Sequence, residues 1–127
     1  MLESRENVTR DPPSGPYYLD AIFASIRTFA QDMETCKRWL GRAEQTENQV
    51  WRLSFLREAR AAEGRTRRTL EAVQRRVAGL GAPEALPAPL DRMHVNLAAM
   101  RTDLAEQAER LGRLETREIE APPVGRA

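Results

Sequence analysis

The stretch "CKRWLGRAE", residues 36–44, decides the fold. An apolar series runs into it: Leu19, Ile22, Ile26, Phe29, Met33, Cys36 and Leu40 alternate spacings of three and four. That is the pattern of a helix burying one stripe. Phe23 and Ala30 are placed to widen the stripe, so the helix is expected to touch more than one neighbour. More helix-like sequence follows, and two architectures compete. If the chain reverses near Gly41, the helices fold into a bundle. If it does not, one helix from 17 to 80 pairs with a second copy. Gly41 and the polar run Glu44-Gln45-Thr46-Glu47-Asn48-Gln49 favour a break, although glycine costs only about 1 kcal/mol inside a helix. On this reading Trp39 caps the core at the helix end. Gly41 supplies a left-handed turn after it, and Lys37, Arg38 and Arg42 suit a helix C-terminus electrostatically.

A second series comprises Leu56, Ala59, Leu70, Val73, Val77 and Leu80, with Val50, Leu53 and Phe55 ahead of it. It ends at "GLGAPEALPAP", residues 79–89, whose glycines and prolines force a connection. A third series follows: Leu90, Met93, Leu97, Met100, Leu104, Leu111 and Leu114. In an antiparallel pair, facing residues have numbers with a constant sum. A sum of 170 sets Leu80 opposite Leu90, Val77 opposite Met93, Val73 opposite Leu97 and Leu70 opposite Met100. Further along, Thr66 meets Leu104, Glu63 meets Gln107, Ala59 meets Leu111 and Leu56 meets Leu114. The pivot falls at residue 85, inside the Pro-rich connection, which is where a hairpin needs it.

The expected fold is therefore all-α: an antiparallel three-helix bundle containing a coiled-coil-like helical hairpin, with helices at about 17–42, 48–80 and 89–118. Residues 1–16, ending in "RDPPSGP", read as a mobile arm, and 119–127 as a disordered tail. Every Phe, Tyr and Trp lies between Tyr17 and Phe55, so the bulkiest contacts belong to the first helix and the start of the second.

Composition narrows the function classes. The 127 residues suffice for one domain with a modest core. No apolar run is long enough to span a membrane, and the first 16 residues lack the apolar middle of a secretory signal, so a cytoplasmic location is expected. Cys36 is the single cysteine, which excludes an internal disulfide. A net charge of +1 argues against global attraction to nucleic acid or anionic membrane. Lys37 is the only lysine among 20 basic residues. Such a ratio reflects base composition of the genome more than selection for guanidinium chemistry.

Trp39-Leu40-Gly41 resembles the W-x-G turn of the small secreted helical-hairpin family known as WXG100, or ESAT-6-like, proteins. In that family the motif joins two helices near mid-chain, which matches its place here. The resemblance implies an exported hairpin without a packed third helix. The chain departs from the family in its third helix, its Pro-rich loop and its lack of a Tyr-x-x-x-Asp/Glu element near the C-terminus.

No catalytic set, cofactor motif or metal site is expected. Glu44 with Glu47, and Asp103 with Glu106, have one-face carboxylate spacing, but such pairs are common in charged helices. The one histidine, His94, has no acidic residue three positions before it, so a Glu-x-x-His di-iron pattern is absent. Between residues 52 and 76 lie eight arginines and three glutamates. Arg57, Arg60, Arg67, Arg68 and Arg75 would carry nucleic-acid binding, the alternative function. They fan across a broad face without interleaved aromatics, and pairing with Asp103, Glu106 and Glu109 is the competing expectation. Glu63 opposite Gln107 forms a polar layer in the core, with Glu63 expected to rotate to solvent. The main expectation is a non-enzymatic helical interaction module (an adaptor, assembly factor or small chaperone) that binds a protein partner or self-associates. Tyr17, Tyr18, Trp39 and Trp51 are its candidate anchors.

Overall fold

Each periodic series forms one long helix. In the computed structural model, residues 15–79 and 88–120 are described. They make up α1 (Gly15–Gln45), α2 (Gln49–Ala78) and α3 (Ala88–Glu120), with no strand among the described residues. Residues 1–14, most of the connection at 80–87 and the tail at 121–127 lie outside them. The expected arm thus loses Gly15-Pro16 to the first turn of α1. Proline is tolerated there because its missing N–H would have no intrahelical partner anyway. At the far end Ile119 and Glu120 belong to α3 rather than to the tail.

The chain does reverse, but not at Gly41. α1 runs one turn past it, to Gln45, so the left-handed glycine turn is overturned, and Trp39 packs against the core from within α1 rather than at its last residue. The reversal occupies Thr46-Glu47-Asn48. Asn48 is extended, at φ −81° and ψ 117°, and its side chain accepts the Trp51 backbone N–H at 3.0 Å. This is N-capping: a short polar side chain satisfies a donor that the helix start leaves without a partner. The Thr46 hydroxyl in turn accepts the Asn48 N–H at 3.2 Å. A Cβ added at Gly41 would meet nothing within 4 Å. Gly41→Ala is therefore expected to stabilise the protein by about 0.5–1 kcal/mol, read as a higher urea midpoint with an unchanged slope.

Two apolar clusters fill the interior. One joins Ile22, Phe29 and Met33 of α1 to Leu70, Val73 and Val77 of α2 and to Leu97, Met100 and Leu104 of α3. The other joins Cys36, Leu40 and Ala43 to Leu56, Ala59, Ala62, Leu111 and Leu114. These groupings follow the constant-sum register of α2 and α3, and the Arg52–Glu118 ion pair obeys it too. The Leu80–Leu90 and Val77–Met93 pairings involve side chains outside the described residues. Phe23 and Ala30 do not widen the buried stripe; both are exposed, because α1 turns its other flank to its neighbours.

The closest helix pair is α1 with α2, not the α2–α3 hairpin. Cys36, Ala43, Ala59 and Ala62 are all small and fully buried, so the two backbones approach until the Cys36 thiol donates to the Ala59 carbonyl at 3.6 Å. α1 and α3 run parallel and are tied by two charge contacts. Lys37 meets Asp103 at 3.0 Å, and Arg110 Nε donates to Glu44 at 2.8 Å.

Candidate functional site

Between the apolar clusters lies a polar waist. Glu63 stays inside, with its side chain 1% exposed, rather than rotating to solvent. Its two oxygens take Arg60, at 3.2 Å, and Arg67 of its own helix. These guanidiniums sit three positions before and four after it, the spacing at which helix side chains meet. Arg60 continues across the seam to Glu115 of α3. Gln107 does not pair with Glu63. It accepts from Arg110 at 3.1 Å and donates to Asp103 at 3.4 Å. In a three-helix bundle one layer must serve three seams. Glu63 turns into the α2–α3 seam, and Gln107 into the α1–α3 seam.

The Gln107 network is continuous: Lys37, Asp103, Gln107, Arg110 and Glu44 form one chain of contacts. The Arg110 hydrogen bond holds the Glu44 carboxyl below its ordinary range. Stability from that bond is present above the usual carboxylate range and is lost as pH falls through the lowered value. Burial pushes the Cys36 thiol up, and the Glu63 carboxylate adds to the effect. Cys36 therefore remains a protonated core thiol rather than a nucleophile.

Ion pairing sorts the arginines of α2 in a way their spacing did not show. Arg52 pairs with Glu118, Arg60 with Glu115 and Glu63, Arg67 with Glu63, and Arg65 lies 3.9 Å from Asp32. Of the expected partners, Asp103 goes to Lys37 and Glu109 to Arg113 on its own helix, and Glu106 forms no ion pair with α2 among the described residues. Arg57, Arg68 and Arg75 have no carboxylate partner among the described residues. Of the five arginines grouped from sequence, these three share one outward line and the other two do not. No cluster of His, Cys, Asp or Glu that could hold a metal exists among the described residues.

Large apolar side chains gather in the open at the end of the bundle where α1 turns into α2 and α3 finishes. Val50 is 72% exposed, Trp51 57%, Leu53 46% and Ile119 83%. Trp39 and Trp51 both stack on Phe55, with ring centroids 5.7 and 6.0 Å apart. The Arg42 guanidinium covers Trp39 at 4.9 Å, so Trp39 is the half-buried root of the stack and Trp51 its exposed tip. Leu53 and Ile119 line a common cleft with Leu56, Arg57, Glu115 and Glu118. Tyr17 and Tyr18 lie in the first turn of α1, and their side chains fall outside the described residues. Sequence reading missed Val50, Leu53 and Ile119 as surface residues. The available signal was that all three sit off the period of Leu56, Leu70 and Val73 or of Leu104 and Leu111.

No described helix is long and apolar enough to cross a membrane. The W-x-G resemblance does not survive the geometry, since Trp39-Leu40-Gly41 lies within α1 and a third helix packs on the other two. No family model matches the sequence, and no curated protein or solved structure does either.

Proposed function

We propose that the chain is a non-enzymatic helical interaction module that receives a partner at the turn end of its bundle. An adaptor, assembly factor or small chaperone would use such a surface. The observation that carries the reading is the group Val50, Trp51, Leu53 and Ile119, large apolar side chains left in water at one end. Leu53 and Ile119 share one cleft, and Trp51 projects from the α1 side of the same end on its Phe55 stack. Large apolar side chains left in water at one end are costly and mark interaction sites. Trp51 is the natural anchor, because tryptophan offers a large rigid face with little conformational entropy to lose on binding. Its stack on Phe55 already restrains it.

Trp51→Ser with Leu53→Ser provides the test. Trp51 is 57% and Leu53 46% exposed, so the thermal unfolding midpoint should fall only modestly, and circular dichroism should show the variant folded. Immobilised wild-type protein should retain a helical partner, or a second copy, that the double variant releases. Equal retention by both would refute the assignment of this end of the bundle.

A further inference from the structure

We propose that the outward face of α2 docks an acidic amphipathic helix of a partner protein. The apolar end of that helix would sit at Val50 and Leu53, and its carboxylates would meet Arg57, Arg68 and Arg75. The inference rests on the interaction-module reading and adds the chemistry of the partner. Steps of 11 and 7 residues separate the three arginines. Both are close to whole numbers of helical turns, so the guanidiniums form one line about 27 Å long. Val50 stands seven residues before Arg57, on the same line.

Three observations favour an acidic helix on this line. The first is charge: the other arginines of α2 that face α3 or Glu63 are ion-paired, whereas these three form no ion pair among the described residues, the nearby Glu115 and Glu118 being taken by Arg60 and Arg52. The second is relief. Ala61, Gly64 and Ala72 lie along this face, with a single carboxylate, Glu71, between Arg68 and Arg75, and a Cβ on Gly64 would touch only the Arg68 guanidinium, at 3.5 Å. A partner backbone can thus approach closely, as helix-on-helix packing requires. The third is continuity with the exposed apolar group, since Arg57 and Leu53 line the same cleft. A helix laid here would bury an apolar anchor at one end and form charge-assisted contacts along the rest. Nucleic acid fits less well. No aromatic lies along the arginine line for a base to stack on, and phosphates curve away from a straight row.

The probe is a synthetic helical peptide with leucine and three glutamates copying the spacing of Val50, Arg57, Arg68 and Arg75. Its controls are the same peptide with glutamine for glutamate, and a short DNA duplex. Calorimetric titration of the full chain should show binding of the glutamate peptide that weakens with added salt. R57E/R68E/R75E should weaken it about tenfold or more, and the milder R57Q/R68Q/R75Q should weaken it in the same direction. Circular dichroism verifies that both variants are folded. Equal binding of the glutamine peptide, lost in the Trp51→Ser/Leu53→Ser variant, would overturn the acidic partner and leave the module reading standing. Failure of both peptides would overturn both. Tighter binding of the duplex, dependent on the three arginines, would overturn the proposal in favour of nucleic acid. Self-association of the wild type that the triple variant abolishes would overturn it in favour of a second copy.

Discussion

Leu40→Ala is expected to lose about 2–5 kcal/mol of folding stability, within the range for emptying a leucine site in a core. Leu40 is fully buried and shares its cluster with Leu111, Ala43 and Ala59. Alanine neighbours have no side chain to extend into the vacated space, so the cavity persists and the cost falls in the upper part of the range. A small domain has only about 5–15 kcal/mol in total. At roughly 4–8 °C per kcal/mol for a domain of this size, the midpoint should drop by more than about 10 °C. The residues on either side sharpen the test. Gly41→Ala should shift the midpoint upward, and Trp39→Ala should cost less than Leu40→Ala because Trp39 keeps one face in solvent. Urea titration of the three variants would show the order, and a Leu40 effect smaller than that of Trp39 would contradict the rotation of α1 described above.

Glu63→Leu is expected to stabilise the fold by about 1–3 kcal/mol. Replacing a buried charge with an apolar residue of similar volume is often neutral or favourable, because the carboxylate no longer has to be taken out of water. The usual objection is that removing one partner strands the other. Here Arg60 and Arg67 keep 45% and 52% of their side chains exposed, so both can return to water, and Arg60 retains Glu115. The leucine would join the two apolar clusters across the waist. A rise in melting temperature with unchanged oligomeric mass identifies the layer as costly to stability. A marked fall would mean that the Arg60–Glu63–Arg67 contacts outweigh the desolvation of the carboxylate.

Helix number, the buried stripes and the α2–α3 register were legible because periodicity is a direct imprint of burial. Cys36 and Leu40 on α1, Leu56 and Val73 on α2, and Leu104 and Leu111 on α3 all lie inside as their spacing required. The position of the reversal was not. Gly41 draws the eye, yet a glycine inside a long helix costs too little to end it. Asn48, with its capping side chain, carried the better signal. The buried Glu63 was visible as a register position, but its fate depended on arginines three and four residues away. Of the exposed apolar side chains at the turn end, Trp51 alone was singled out by its residue type. Val50 and Leu53 lie just ahead of Leu56 in sequence but off the period of the buried stripe, which marks them as surface residues. Which arginines remained unpaired depended on the rotation of α2 against α3, which a constant-sum register does not specify.

The parallel α1–α3 seam has a kinetic meaning. Its two charge contacts, Lys37 with Asp103 and Glu44 with Arg110, each join residues 66 positions apart, whereas α1 and α2 are linked by three residues. Closing a long loop costs more chain entropy than closing a short one, and local contacts form sooner. The α1–α2 hairpin, drawn tight by its alanines, is thus the part expected to assemble first, with α3 arriving as the last strut and leaving as the first. Backbone amides of α3 should exchange with solvent through openings smaller than global unfolding, ahead of those around Ala59 and Ala62.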